Sequence, residues 1–441
     1  MHVTKPAQVR EVPAILVGLD FGTPYHRDHL MEAVELVSSA GAKVMQTITG
    51  KRAKPDAGTF AGQGKVQEIA DAVALHEATL VVFNHQLSPA QLRNIERETK
   101  ARVIDRTDLI LEIFGQRARS AEGQLQVELA QTEHLLTRLV RAWSHLERQG
   151  GGTGARGGMG ETQLEVDKRL VNVKIKQLKD RLKKVAQQRQ TQRASRRKSM
   201  DLSVSIVGYT NSGKSTLFNR LTHSQTYVAD QLFATLDTTT RKLYLDPKHS
   251  AAVSDTVGFI RELPHGLVAA FRATLEEAVN ADVLLHVVDA SNPMREQQIA
   301  DVNAVLQEIG ADNVPQIIVY NKLDAARAIY EIQRKKLQLA QDVHPTAVGR
   351  DADQTAATAD VNAPILDAMK VLAPAGGLDA GAIHDQYGKV IAVRVSALTG
   401  EGFDALRVAL LAASVERHPM STVPALEIDP IAAMSSQVNL L

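Results

Sequence analysis

The sequence predicts an α/β protein in parts: a small N-terminal α/β subdomain, a long helical hairpin, then a larger α/β domain with a mostly parallel sheet. Three observations carry this. Short apolar runs alternate with amphipathic stretches over 12–105 and again from 201, the pattern of strands and crossover helices in parallel sheets. Between them, 107–200 is rich in helix formers and interrupted by a glycine cluster. Finally, Gly208-Tyr-Thr-Asn-Ser-Gly213-Lys214-Ser215 lies between a β-like run and a helical one, the setting of a phosphate-binding loop.

Composition bounds the classes. The 441 residues, 44% hydrophobic and 23% charged, suit a globular protein with two or three cores. Zero cysteines exclude disulfides, thiol nucleophiles and cysteine zinc sites, and fit a reducing, cytoplasmic setting. The start, Met-His-Val-Thr-Lys-Pro, has no apolar core of a secretion signal, and no segment is apolar for long enough to span a bilayer. A monomer without membrane insertion is expected, with peripheral membrane association left open. Net charge is +1, so the global balance names no polyanionic partner. From Lys168 to Lys198, however, thirteen Lys or Arg face one acid, Asp180. Such a block is either a polyanion-binding surface or a solvated helix face.

In chain order, Ala14–Gly18, Ala42–Ile48, Thr79–Phe83 and Val103–Arg106 read as strands of one sheet. Leu30–Val37 is an amphipathic helix. Another helix follows Val66, and a third starts at Ser88 as N-cap with Pro89 at its first position. Gly62-Gln-Gly64-Lys65 lacks the spacing of a phosphate loop, and a plain turn is the simpler reading. Thr107–Glu147 reads as one long helix with Leu125, Leu129, Leu135, Leu136 and Leu139 at helical spacing. After Gly150–Gly160, helix resumes over Glu161–Lys198, with Leu164, Leu170, Val173, Leu178, Leu182 and Val185 suited to a packed seam. A hairpin whose tip carries Arg156 is a probe rather than a pocket; an inter-domain spacer is the alternative. The resulting division is 1–106, 107–200, 201–414 with a loosely structured insertion over about 326–389, and a tail from 415 to 441.

The larger domain carries the chemistry. Gly208, Tyr209, Thr210, Asn211, Ser212 and Gly213 form the loop whose N–H groups face an anion. Lys214 reaches the β- and γ-phosphates, and the Ser215 hydroxyl suits Mg²⁺. Asp255-Thr256-Val257-Gly258 follows an apolar strand, so Asp255 can hold Mg²⁺ through water. The Gly258 N–H can meet a γ-phosphate, an interaction that hydrolysis would release, as in a loop switch. Asn321-Lys322-Leu323-Asp324 ends another strand. A carboxylate there accepts from both N1–H and the exocyclic amine of guanine, a pair adenine does not present, while Lys322 covers the ring. Ser396-Ala397-Leu398 ends the last strand, Val390–Val395, where backbone N–H groups can donate to guanine O6. Phe233-Ala234-Thr235-Leu236-Asp237 must supply a Mg²⁺ threonine; Thr235 is the first choice and Thr239 the rival.

Together these motifs resemble those of a Ras-like P-loop G domain. That resemblance implies GTP and GDP as ligands, Mg²⁺ as cofactor, and Lys214, Thr235 and Gly258 in catalytic positions. A Ras-type enzyme orients the attacking water with a glutamine directly after D-x-x-G. Here that residue is Phe259, so unassisted hydrolysis should be slow.

Further stretches resemble the HflX family of ribosome-associated GTPases: Asp105–Phe114, Glu122–Ala130, Gly152–Glu165, and Phe233–Asp237 with Thr239-Thr-Arg241. The resemblance covers about 12–325 and 390–413. It implies a partner, the large (50S) ribosomal subunit and its rRNA, with the hairpin tip near the peptidyl-transferase region and splitting of ribosomes stalled under heat or other stress. It also implies a hydrophobic residue at the place of Phe259. Met159 and Thr238 stand where the family usually has proline, and the 325–389 link is longer than the family's. The competing function is a GTP-dependent adaptor of a protein partner such as a membrane protease. An RNA-remodelling ATPase is disfavoured by Asn321–Asp324.

Overall fold

The computed structural model describes residues 11–149, 163–197, 202–224, 232–233, 235–261, 272–343 and 377–417. The N-terminal sheet contains β1 (Val12–Asp20), β2 (Ala42–Lys51), β3 (Leu80–Phe83) and β4 (Arg102–Ile104) in the order β2-β1-β3-β4. All its pairings are parallel. The inner strands are buried on both faces, which is why they read as continuous apolar runs rather than alternations. Helices α1 (His26–Ser39), α2 (Gln63–His76) and α3 (Pro89–Thr99) connect them. The α3 start follows its local signal: Ser88 and Gln91 cap each other's backbone N–H, with Pro89 at the first turn.

The single helix expected over Thr107–Glu147 is instead two, α4 (Arg106–Arg117) and α5 (Ala121–Gln149), broken where Ala118 adopts an extended backbone. α4 starts at Asp105, whose carboxylate accepts the Asp108 N–H at 2.9 Å. It buries Leu109, Ile110, Ile113 and Phe114, so it packs with the N-terminal unit, and the expected 106/107 boundary cuts through that core. α5 pairs with α6 (Gln163–Arg197) through Leu129, Ile175 and Leu178, flanked by Leu125, Leu136, Val171 and Leu182. Lys174–Glu128 at 2.9 Å and Lys179–Glu133 at 2.8 Å bridge the two. The expected seam is therefore partly wrong. Leu170 and Val173 are exposed, because the stripe of α6 that meets α5 runs Val171, Ile175, Leu178, Leu182 and those two residues turn off it; Leu135 of α5 is exposed as well. The glycine cluster with Arg156 and Met159 lies outside the described residues.

The second sheet contains β5 (Leu202–Gly208), β6 (Thr239–Tyr244), β7 (Ser250–Asp255), β8 (Val283–Asp289), β9 (Gln316–Asn321), β10 (Gly381–His384) and β11 (Val390–Arg394). Its order is β10-β11-β9-β8-β5-β7-β6, antiparallel only at the two edge pairs among the described residues. Helices α7 (Lys214–Thr222), α8 (Arg272–Val279), α9 (Arg295–Ile309), α10 (Leu323–Val343) and α11 (Phe403–Arg417) complete it. The expectation of loose structure over 326–389 fails at both ends. α10 runs to Val343, anchored by buried Leu323 and Ala326, and β10 takes the free edge of β11. Composition misled because an edge strand draws its hydrogen bonds from its neighbour. Residues 344–376 lie outside the described residues.

One apolar core joins the two units. Leu36, Ile113 and Phe114 pack in the same cluster as Val207, Tyr209, Phe233 and Phe259, while a separate core fills the other face of the second sheet. Among the described residues no helix is long and apolar enough to cross a membrane.

Candidate functional site

The ends of β5, β7, β9 and β11 bring the sequence-predicted motifs to one edge of the second sheet. Gly208 has φ 147°, and a Cβ there would lie 2.2 Å from the Val287 carbonyl oxygen; no other residue fits where the chain leaves β5. Gly213, at φ 89°, lets Asn321 approach, and Asn321 Nδ2 donates to the Ser212 carbonyl at 2.9 Å. Asn321 Oδ1 accepts the Ala397 N–H at 2.9 Å, and Ser396 Oγ donates to Asp324 at 2.6 Å. Asn321 thus ties the loop after β5 to its own strand end and to the Ser396–Leu398 segment. Lys322 is held by Asp289 at 2.9 Å.

On the phosphate side, Ser215 Oγ lies 2.7 Å from Thr235 Oγ1 and donates to Asp255 Oδ2 at 2.8 Å; Thr235 donates to the same oxygen at 3.1 Å. The rival Thr239 instead starts β6, paired with Asp255 through the backbone. Among the described residues, Asp255 Oδ1 is buried without a partner, as are Thr210 Oγ1 and Ser212 Oγ. Three hard oxygen donors and an unpaired buried carboxylate oxygen fit a small divalent cation such as Mg²⁺. Lys214 Nζ donates to the Tyr209 carbonyl at 2.6 Å. Burial pulls its ammonium down to about 8, against the attraction of Asp255, with Lys322 adding to the drop. Burial likewise pushes the Asp255 carboxyl up, against hydrogen bonds from Ser215 and Thr235 and the charge of Lys214. Burial thus presses both groups toward neutrality, and an incoming polyphosphate favours the charged lysine. Gly258 admits Lys214: a Cβ there would stand 3.0 Å from Nζ and 2.9 Å from Thr210 Cγ2.

Several candidate residues direct their side chains elsewhere. Tyr209 donates to Glu32 of α1 and accepts the Arg261 N–H at 2.9 Å. The Phe233 ring meets Phe114 edge-on at 4.5 Å, and Leu236 and Val257 are buried in the shared core. Thr256 donates to the Ile206 carbonyl at 2.7 Å, and Leu323 is buried. Asp237 caps α5 rather than facing the pocket. Leu398 is exposed, and its carbonyl accepts from Arg220 at 3.0 Å. Asn211 takes the positive φ of 58° that the loop's turn needs. Ala234 lies outside the described residues. Phe259, 2% exposed, exchanges backbone hydrogen bonds with the loop, donating to Gly208 O at 3.1 Å and accepting from Thr210 N at 2.7 Å. Its ring is core, so it offers a water nothing.

The sequence reading missed Glu32, Arg106, Arg220 and Asp289. Arg106, 3% exposed, contacts Glu32, donates to Asn84 Oδ1 at 2.8 Å and to the Arg261 carbonyl at 3.3 Å. Arg220 also donates to the Thr399 carbonyl at 2.7 Å, steadying the loop that carries Ser396 and Ala397. Only Asp289 had a local signal, its place at a strand's carboxyl end.

GTPase HflX of Escherichia coli (strain K12) is 54% identical to this chain over 311 residues, covering 70% of this chain and 73% of that protein. The chain belongs to the HflX family of GTPases. GTPase HflX of Alkalihalophilus pseudofirmus is 48% identical over 301 residues, 68% of this chain and 71% of that protein. Family profiles match in sequence order: GTP-binding GTPase N-terminal at 27–115, GTP-binding GTPase Middle Region at 117–196, and 50S ribosome-binding GTPase at 203–322. A crystal structure of a GTP-binding protein from Sulfolobus solfataricus in complex with GDP aligns over 92% of this chain and 99% of that chain at 23% identity. Its TM-score of 0.42 is too low to add weight. As an HflX protein, the chain is a GTP hydrolase.

Proposed function

We propose that this HflX-family GTPase hydrolyses GTP in the pocket between Lys214, Thr235, Asp255 and Asp324, with Mg²⁺, and that it binds the large ribosomal subunit and splits stalled ribosomes. Cytoplasmic, monomeric action belongs to the same reading. The observation that carries it is a basic 35-residue helix, α6, packed on α5, whose Val127 and Ala130 belong to the apolar core shared with Val207 and Phe259.

Bound Mg²⁺ would supply charge neutralisation at the β- and γ-phosphates, held by Ser215, Thr235 and Asp255. Lys214, kept protonated by the incoming phosphates, offsets charge that develops on the transferring group. The Gly258 backbone approaches the same place, and the Asp324 carboxylate selects guanine, on a segment that Asn321 ties to the Ala397 N–H. Phe259 leaves the attacking water without a side-chain partner, so hydrolysis needs help from outside, and a ribosomal surface is the source proposed here. The lysines and arginines of α6 would face rRNA, giving binding that weakens steeply with salt.

The test is GTP hydrolysis with and without purified 50S subunits across a salt series. Stimulation that fades with salt is expected. A flat response would overturn the ribosome reading, leave the GTPase intact, and favour a protein partner.

A further inference from the structure

Asp237 sits two residues beyond Thr235, yet its carboxylate is taken up by the two residues that lead into α5. It accepts the N–H of Arg119 at 3.0 Å and of Ser120 at 2.8 Å, and the Ser120 hydroxyl. The Ser120 N–H is a donor that the start of a helix leaves unmet, Arg119 lies one residue ahead of it, and a carboxylate there also meets the positive end of the helix dipole. The surface is shaped for it: a Cβ on Gly123 would lie 2.4 Å from Asp237 Oδ1. Ser120 Oγ accepts the Gly123 N–H at 2.9 Å, completing the turn.

The other side of Thr235 is tethered too. Leu232 N–H donates to Ser39 Oγ at 3.0 Å, and the Phe233 ring packs on Phe114. Thr235 therefore hangs between anchors on the N-terminal unit and on the hairpin's first arm, and the described residues around it, 235–238, form no helix or strand. Fixing such a stretch costs backbone entropy, which these anchors offset before any nucleotide arrives.

We propose that Asp237 is a positioning residue: by capping α5 it holds Thr235 against Ser215 and Asp255, and so couples the nucleotide pocket to the hairpin. The coupling runs both ways, because a ligand that draws Thr235 inward favours the capped α5, and whatever steadies the α5 start favours the closed threonine. A partner gripping the hairpin would reach the catalytic pocket through this carboxylate.

The inference rests on the pocket assigned above. The test uses the full chain with Asp237→Asn, which keeps shape but opposes an amide to the N–H donors, and Gly123→Ala, which crowds the carboxylate from the α5 side. Three quantities are read: kcat and KM for GTP, the Kd of a fluorescent GDP analogue, and amide exchange over 118–124 and 235–241. Both variants are expected to lower kcat about tenfold while GDP affinity stays within about twofold, the scale of losing a charged helix cap. Exchange should speed up in both segments together. Wild-type kcat in both variants, or slowed hydrolysis with unchanged exchange at Arg119 and Ser120, overturns the proposal. Parallel collapse of GDP affinity in both variants also overturns it, since the residue would then only maintain the fold. If the unmodified protein fails to bind GDP, the pocket assignment falls instead.

Discussion

Glu32, on the first helix of the N-terminal unit, accepts a hydrogen bond from the hydroxyl of Tyr209, the second residue of the Gly208–Ser215 loop. The same hydroxyl accepts from the Arg261 N–H, and Arg106 ties Glu32 back to Asn84 and the Arg261 carbonyl. A half-buried acid and a buried guanidinium and phenol thus link three segments that meet only in the folded chain. Tyr209 is held as a phenol, its ionisation pushed far up by burial and by the nearby Glu32 carboxylate.

Tyr209→Phe removes one hydrogen bond to a charged acceptor and strands the Arg261 N–H. A stability loss of about 1.5–3 kcal/mol is expected, read as a lower urea midpoint. GDP affinity should hold, because the loop backbone is unchanged. Combined with Glu32→Gln, the two losses should fall short of additivity.

Asp324→Asn exchanges a double acceptor for an amide that opposes the guanine N1–H. GTP affinity should drop about a hundredfold, two charged hydrogen bonds' worth, and xanthine nucleotide should gain. Isothermal titration with both nucleotides checks this; unchanged GTP binding would displace Asp324 from base recognition.

Chelating divalent cations is expected to stop hydrolysis, and Ser215→Ala should raise the Mg²⁺ concentration needed for half-maximal rate by about tenfold or more. A magnesium titration of initial rates separates this from lost GTP binding, which should persist in part through Lys214.

His286, buried in β8, should make the protein sensitive to acid. Burial holds its imidazole down at about 4, against an ordinary 6.5, with Lys214 adding to the drop and a hydrogen bond to the Gln316 side chain opposing it. The unfolded chain binds the extra proton between those values, so this contribution is full above about 6.5 and is lost as pH falls toward 4. A loss of about 2 kcal/mol is expected by a pH near 5. Denaturant midpoints across pH should show a shallower decline in His286→Gln than in the unmodified protein.

What could be read in the sequence follows from local geometry. Gly208 and Gly213 are needed for the loop's backbone angles and close approaches, and Lys214, Ser215, Asp255, Asn321 and Asp324 carry their chemistry at the carboxyl ends of apolar runs. The Ser88 cap is equally local. Spacing along a strand or one helical turn decides such features, so the family, the fold class and GTP as ligand were legible before any packing was known.

The partners of Tyr209 and Asp237 were not. Tyr209 finds Glu32 across 177 residues and Asp237 finds Ser120 across 117, and no periodicity relates positions so far apart. The break that splits Thr107–Glu147 lies where that distant aspartate caps α5, and the true hairpin seam depends on which stripe faces its neighbour. Local spacing determined which motif residues gather at the carboxyl ends of the strands; only tertiary packing, which sets long-range side-chain partners through a shared apolar core, decided what else those motifs hold.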